Sequence, residues 1–251
     1  MDARTQTLVA DKELLLEAVR AAGVVARRYF GKAPRDWRKD DGSPVSEADI
    51  ATEAALHDTL TAARPHYGWM SEERPDDIRM AERTFVVDPI DGTRGYLRGD
   101  RMWSVVAAII EEGRPIAAAI AAPVAGTLYA AALGGGAERN GTAIAVSTHA
   151  TLGGANVAMP STLYREGGMQ ALGMTRAQGL PSLALRLAKV AEGRYDGVIT
   201  KKGAQHWDLA AADLIVREAG GALTQLDGTP PRYDTADTRH PPLVAAPRAT
   251  V

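Results

Sequence analysis

No cysteine occurs anywhere in the 251 residues. Disulfides, thiolate metal sites and a cysteine nucleophile are thereby excluded, and any metal must be held by oxygen or imidazole. Neither sign of charge dominates: 29 basic and 31 acidic side chains give a formal net charge of −2. That balance leaves no electrostatic footprint for gripping a nucleic-acid polymer, so a small anion would have to be held locally. No run approaches the roughly twenty apolar residues of a membrane span. The opening segment, MDARTQTLVADKELLLEA, has no basic stretch leading into an uninterrupted apolar core and a small-residue cleavage site. Internal repeats and low-complexity segments are also missing. The expectation is a cytoplasmic protein with neither membrane nor nucleic acid as partner. His57, His66, His149, His206 and His240 show no metal-ligand spacing and read as ordinary surface or core residues.

What is present is a chain that is 45% hydrophobic, enough for one large domain or two packed lobes. Apolar residues at Leu15, Val19, Ala22, Ala26 and Tyr29 predict a helix from Asp11 to Phe30, ended by Gly31. A second helix is expected from Ser46 to just before Pro65, with Ile50, Ala54 and Leu60 inward and Asp49 in its first turn. Tyr67 to Ser71 and Phe85 to Val87 read as strands that deliver the chain into Glu72-Glu73 and Asp88. Trp103 to Ile110, Pro115 to Ala122 and Thr127 to Ala132 form a meander, with turns at Glu112-Gly113 and Ala125-Gly126. Gly134-Gly135-Gly136 and the Asn140-Gly141 turn are the candidate junction between lobes, placed as 1–135 and 136–251. The second half alternates a helix at 182–192, a strand at 197–200, a helix at 208–219, and strands at 222–226 and 243–246. The fold class is mixed α and β, in alternating helix and sheet layers.

The densest chemical signal is Phe85-Val86-Val87-Asp88-Pro89-Ile90-Asp91-Gly92-Thr93. Pro89 fixes its own φ and disfavours helix at Asp88, so the two carboxylates can be held as a pair, an arrangement that suits a hard cation such as Mg²⁺. Gly92 lets backbone approach a ligand closely, and the amides after it could open a short helix toward phosphate. Each acid has an ordinary alternative. Asp-Pro-x-Asp-Gly makes a turn, Glu72-Glu73 a solvated loop, Ser46 with Asp49 a capping box, and Asp208 an N-cap for a helix closed by Gly220-Gly221. Together these alternatives must account for acids placed at so many element ends.

The sequence resembles the inositol monophosphatase superfamily, which pairs a strand-borne Asp-Pro-(Ile/Leu)-Asp-Gly-Thr with a later Trp-Asp-x-Ala-Ala. Here these are Asp88 to Thr93 and Trp207 to Ala211. The likeness runs on through Glu72-Glu73, through Ser43 to Asp49, and through Gly220-Gly221, covering nearly the whole chain in order. It implies a layered α-β-α-β-α sandwich of the sugar-phosphatase type, a homodimer, and lithium-sensitive phosphate monoester hydrolysis with two or three Mg²⁺ ions. One ion would be held by Glu72, Asp88 and the Ile90 carbonyl, a second by Asp88, Asp91 and Asp208, and a weaker third near Glu72. Asp49, Thr93 and Glu72 would be catalytic, Thr93 orienting the attacking water with support from Asp49. Gly92, Thr93 and Asp208 would contact the substrate. The chemistry fits, because a phosphate ester dianion repels an anionic nucleophile until cations neutralise it.

Lys39 to Asp49 is similar to the Lys-x-Asp-x-Ser-Pro-Val-(Ser/Thr)-x-Ala-Asp of 3'(2'),5'-bisphosphate nucleotidases. Arg94 stands where those enzymes carry lysine, although Gly95 replaces the acid that usually follows. Seven residues before Asp208, where inositol monophosphatases place a glutamate for inositol hydroxyls, stands Lys201. A cation suits a second phosphate better than a neutral polyol. The implied reaction is 3'-phosphoadenosine 5'-phosphate to AMP, with Arg94 and Lys201 on the substrate. Inositol 1-phosphate hydrolysis is the alternative, and a non-catalytic regulatory protein on the same fold is the other.

Overall fold

The computed structural model describes residues 2–74 and 77–248. Six helices are described: α1 Ala3–Tyr29, α2 Glu47–Ala63, α3 Thr93–Leu97, α4 Ser161–Glu166, α5 Leu183–Ala191 and α6 His206–Glu218. Strands β1 Asp36–Arg38 and β2 Pro44–Ser46 form an antiparallel hairpin. Seven strands make the larger sheet in the order of the chain: β3 Gly68–Ser71, β4 Arg83–Asp91, β5 Ser104–Glu111, β6 Arg114–Ala122, β7 Thr127–Ala132, β8 Ala137–Arg139 and β9 Thr142–Ala143. A five-stranded sheet contains β10 Asn156–Ala158, β11 Thr175–Arg176, β12 Gly197–Ile199, β13 Gly221–Gln225 and β14 Leu243–Pro247, in the spatial order β11, β10, β12, β14, β13.

Alternation along the strands divides the core in two. Phe85, Val87, Val105, Ala107, Ile109, Ala117 and Ala119 face α1 and α2, while Val86, Val106, Ala108, Ile110, Ala118 and Ile120 face α5 and α6. Successive side chains of a strand point to opposite faces, so continuous apolar runs such as Val105 to Ile110 mean cover on both sides. The alanines of β6 keep both faces shallow. Gly23 of α1 crosses so closely that a Cβ there would lie 2.8 Å from the Pro123 ring. Beyond α5 and α6 lies the five-stranded sheet, and Leu163 and Tyr164 of α4 pack on the outward Val157 of β10 with Met159. The result is the layered α/β sandwich.

Several expected boundaries move. α1 begins at Ala3 rather than at residue 11, because the Asp2 carboxylate accepts from Thr5 N at 2.7 Å and caps it there. Ile50 was expected inward but is 44% exposed; Asp49, Thr52, Glu53, Leu56 and Leu60 form the inner stripe, and Ile50 falls outside it. Leu226 ends outside β13 and is 73% exposed. The Asp88-Pro89-Ile90-Asp91 segment is no turn: β4 runs through it beside β5, with a register shift between Asp88 and Asp91. Residues 134–136 link two paired strands of one sheet, β7 and β8, and Asn140-Gly141 turns β8 into β9, so the chain leaves that sheet only after Ala143. Among the described residues, no helix is long and apolar enough to cross a membrane.

Candidate active site

The register shift in β4 is what gathers the acids. In an unbroken strand, residues three apart point to opposite faces; the irregularity between Asp88 and Asp91 turns both carboxylates to one cleft. Ile90 N donates to Asp88 Oδ1 at 2.9 Å and fixes the first. Asp91 is held by the start of α5, accepting from Leu183 N at 3.1 Å, from Ala184 N at 2.7 Å and from the Ser182 hydroxyl. The third acid comes from α6, whose N-cap is Gln205, so the ordinary alternative of Asp208 as N-cap does not hold. Asp208 sits one turn in, where its carboxylate accepts from Gln205 N at 2.7 Å. Ligand oxygens of Asp88, Asp91 and Asp208 all lie within 4.8 Å of one another.

Three carboxylates this close cannot all stay ionised without a counter-charge. Burial, then Glu72, Asp91 and Asp208, push Asp88 well above the usual carboxylate range. Withdrawal from water, then the Asp91 and Glu72 charges, does the same to Asp208. Burial also raises Asp91, against the hydrogen bonds from Ser182, Ala184 and Leu183. An all-oxygen donor set with accumulated negative charge and no soft ligand fits a hard divalent cation such as Mg²⁺.

Glu72 is not part of the trio. Its backbone follows β3, and Lys39 Nζ, reaching in from the β1–β2 hairpin, lies 3.1 Å from Glu72 Oε1 and 2.8 Å from Glu73 Oε1. Burial works against the Lys39 ammonium, but the two carboxylates outweigh it and hold its pKa above the usual value. Burial and the Glu72 charge push Glu73 up to about 8. Lys39 thus supplies a resident positive charge beside the acids. As a sequence feature it was visible only as part of a motif, because its partners lie 33 and 34 residues away.

Asp49 and Thr93 do meet. Thr93 Oγ1 lies 3.2 Å from Asp49 Oδ1 and 2.9 Å from the Ile90 carbonyl, and its single proton can serve one of them at a time. The capping box is also real: Asp49 Oδ2 accepts from Ser46 N at 2.8 Å and from Ser46 Oγ at 2.6 Å. Asp49 therefore caps α2 with one oxygen and addresses Thr93 with the other. Burial raises its pKa against those hydrogen bonds. Gly92 adopts φ 96° as the N-cap of α3, and a Cβ there would lie 3.0 Å from Ser182 N.

Glu72, Asp88, Asp91, Gly92, Thr93 and Asp208 line a cleft of about 1220 Å³, which Trp37 and Ile50 also border. Arg94 lines this cleft, but Lys201 does not; it lines a smaller adjoining chamber that also includes Arg94. Sequence reasoning missed Arg186 of α5, which borders both spaces, and Ser182, the N-cap of α5 that also binds Asp91. A serine at the start of a predicted helix was a signal for the second; an arginine within an apolar helical run was the only one for the first.

The family model described as the inositol monophosphatase family matches residues 10–249. A histidinol-phosphatase from Mycobacterium tuberculosis is 35% identical over 233 residues, covering 87% of this chain and 88% of its own. An inositol-1-monophosphatase from Mesorhizobium japonicum is 32% identical over 235 residues, covering 86% and 85%. Among solved structures, the extragenic suppressor protein SuhB from Bartonella henselae superposes with a TM-score of 0.82 at 30% identity, covering 96% of this chain and 95% of its own.

Proposed function

The chain belongs to the inositol monophosphatase family and is a metal-dependent phosphatase, and from that premise we propose that it uses Mg²⁺ at Asp88, Asp91 and Asp208 to hydrolyse a phosphate monoester of a small metabolite. The observation that carries the site assignment is the convergence of those three carboxylates within 4.8 Å, beside the Thr93 and Asp49 pair. Asp88 and Asp91 from one strand and Asp208 from α6 would hold one ion, with Asp88 shared toward a second that Glu72 and the Ile90 carbonyl complete. Divalent ions held by these residues would supply charge neutralisation of the ester dianion, a more acidic attacking water and stabilisation of the departing alkoxide.

The protein's own part is positioning and proton handling. With Asp49 accepting the Thr93 hydroxyl proton, Thr93 Oγ1 offers its lone pairs to the attacking water and sets its direction. The raised pKa of Asp49 makes it a stronger base than an ordinary carboxylate. Gly92 and Thr93 amides would hold phosphate oxygens where the φ of Gly92 keeps the backbone open. The departing group leaves toward the side bordered by Arg94 and Arg186.

Within this reaction class the proposed substrate is a nucleoside 3',5'-bisphosphate, Arg94 and Lys201 taking the phosphate that stays. Inositol 1-phosphate is the alternative; relatives bear the names histidinol-phosphatase, inositol-1-monophosphatase and Nus factor SuhB, which share no one substrate. A homodimer in the cytoplasm, inhibited by lithium, belongs to the same proposal. The deciding experiment is phosphate release measured in parallel on 3'-phosphoadenosine 5'-phosphate, inositol 1-phosphate, histidinol phosphate and fructose 1,6-bisphosphate, with Mg²⁺ and with excess chelator. Hydrolysis of the first, lost in chelator and in Asp91→Asn, is expected; undiminished turnover in chelator refutes the metal assignment.

A further inference from the structure

Glu53 is the second acid on the inner face of α2, one turn beyond Asp49, and is 2% exposed. It does not border the cleft. An ionised carboxylate is costly to bury unless donors meet it, and here they meet both oxygens. Oε2 accepts from the Ser71 hydroxyl; Oε1 accepts from Trp69 Nε1 at 3.3 Å and lies 3.4 Å from Arg74 Nε. Trp69 and Ser71 are alternate residues of β3 and share one face of it. The third partner stands on the far side of a turn.

What these contacts enclose is the pair Glu72-Glu73. Ser71 precedes it and Arg74 follows it, so one buried carboxylate grips the chain at both ends of the turn. Ser71 also takes a bond from inside the turn, where Glu73 N donates to Ser71 Oγ at 3.3 Å. With that amide on a lone pair, the hydroxyl has its one proton to give to Glu53. Amide, hydroxyl and carboxylate thus form a directed chain. The entry to the turn is fixed by the sheet: Ser71 is in register with Val87, and Glu72 N donates to the Val87 carbonyl at 3.4 Å, which brings the chain alongside Asp88. A buried ion pair is weak evidence for stability, since apolar replacements often hold a fold as well. What Glu53 does here is orient.

We propose that Glu53 is a positioning residue for the metal site that Glu72 completes: acting through Ser71, it holds the Glu72-Glu73 turn where the Glu72 carboxylate can share an ion with Asp88. The inference deepens the proposed function and rests on its placing of Glu72 among the ligands. α2 then serves two parts of the cleft from one face. Asp49 addresses Thr93, Glu53 sets the Glu72 turn, and the helix keeps the two one turn apart. Asp88, Asp91 and Asp208 are oriented from elsewhere, by Ile90 N, the start of α5 and Gln205 N. Loss of Glu53 therefore acts on one ion and spares the other.

The test is calorimetric titration of the full, metal-stripped chain with Mg²⁺ alone, beside thermal melts in chelator. Glu53→Met keeps the length of the side chain and removes both acceptors; Ser71→Ala removes the hydroxyl with Glu53 in place. Each is expected to weaken the site that Glu72→Gln abolishes by about ten- to a hundredfold, and to change the affinity at Asp88, Asp91 and Asp208 by less than about threefold. Trp69→Phe removes the other hydrogen bond to Glu53 but not the link through Ser71, so it should lower Tm and leave both Mg²⁺ affinities as they are. In turnover the same shift appears as a higher half-saturating Mg²⁺ with kcat recovered at saturation, a split that loss of folded protein does not produce. Unchanged affinity at the Glu72 site in either Glu53→Met or Ser71→Ala overturns the inference. So does equal weakening in Trp69→Phe and Ser71→Ala, which would make Glu53 a packing element only. Should Glu53→Met not fold, Ser71→Ala and Trp69→Phe decide between these outcomes. Failure of the reading beneath it looks different: Glu72→Gln would bind Mg²⁺ as the wild type does, and the inference would fall with it.

Discussion

Replacing Asp88 by asparagine should make the metal-free protein more stable while removing its activity. Asp88 is 1% exposed and sits among Asp91, Asp208 and Glu72. Two unit charges 4.8 Å apart repel by about 3.5 kcal/mol at an effective dielectric constant near 20, and Asp88 takes part in two such pairs within the trio. The metal-free wild type escapes part of this by retaining protons, at a cost of about 1.4 kcal/mol per unit of displaced pKa. Asparagine keeps the acceptor for Ile90 N and turns an amide toward the remaining carboxylates, so no buried donor is stranded. We expect a net gain of about 2 kcal/mol, which for a chain of this size is a rise in Tm of roughly 4–8 °C.

The order should reverse when Mg²⁺ is added. A ligand that binds only the folded state at a hundred times its Kd stabilises it by about 2.7 kcal/mol, and the wild type alone has the full ligand set to claim that gain. Thermal melts of wild type and Asp88→Asn at pH 8, in chelator and in millimolar Mg²⁺, therefore form a crossed pattern. If the variant melts below the wild type in chelator, mutual repulsion is not what raises Asp88. If Mg²⁺ lifts both proteins equally, Asp88 is not a ligand.

Five further outcomes follow. Raised carboxylates bind more protons folded than unfolded, so the metal-free protein's stability is fullest below their ordinary values. It falls as pH rises through the raised ones, for Glu73 between 4.5 and about 8. Mg²⁺ binding must displace such protons at Asp88 and Asp208, so its calorimetric affinity should strengthen with pH and its enthalpy should vary with buffer. Thr93→Val keeps the packing volume but loses the hydroxyl against Asp49, and kcat should drop on the order of 10²- to 10⁴-fold with Mg²⁺ affinity retained; a loss below tenfold would remove Thr93 from the proton path. Lithium and calcium at millimolar excess should inhibit, calcium because it is larger and less strict in geometry, and an enzyme indifferent to both would exclude a second weak metal site. Gly68→Ala places a Cβ 2.2 Å from the Arg79 carbonyl oxygen, and an overpacking loss of about 1–3 kcal/mol in denaturant midpoint is expected.

Which of these features could be read from the chain follows from the range over which each is determined. The meander was legible because β5 to β7 alternate against neighbours joined by short turns, and Glu112 and Gly113, with φ of 51° and 72°, turn the chain as a two-residue hairpin demands. The capping box at Ser46 and Asp49 was legible for the same reason, since both partners lie within three residues. The same carboxylate's second bond, to Thr93 across 44 residues, followed only from resemblance. Ile50 was misplaced because a helix phase chosen from Ile50, Ala54 and Leu60 ignored Asp49 and Glu53, polar residues that are buried here. Hydropathy puts an acid outside, but a site built of acids puts it inside, and the phase error marks the helix face that carries the chemistry.

The five cations of the chamber show the opposite limit. Arg94 and Lys201 were singled out only through resemblance, and Arg176, Arg186 and Lys202 not at all, since long cationic side chains usually belong to solvent. Only the packing of α5 between the two sheets brings Arg186 to the cleft that Asp91 and Asp208 share. Asp91 and Arg186 are tied to the same point, because Ser182 gives its hydroxyl to the one and its carbonyl to the other. A change at Ser182 would therefore disturb an acid of the cleft and a cation of the chamber at once, through one helix terminus. Catalytic motifs can be recognised as strings because their carboxylates are spaced along a strand. The cations of the smaller chamber are side chains that the string scatters and the fold collects, which is why the reaction class could be read without them.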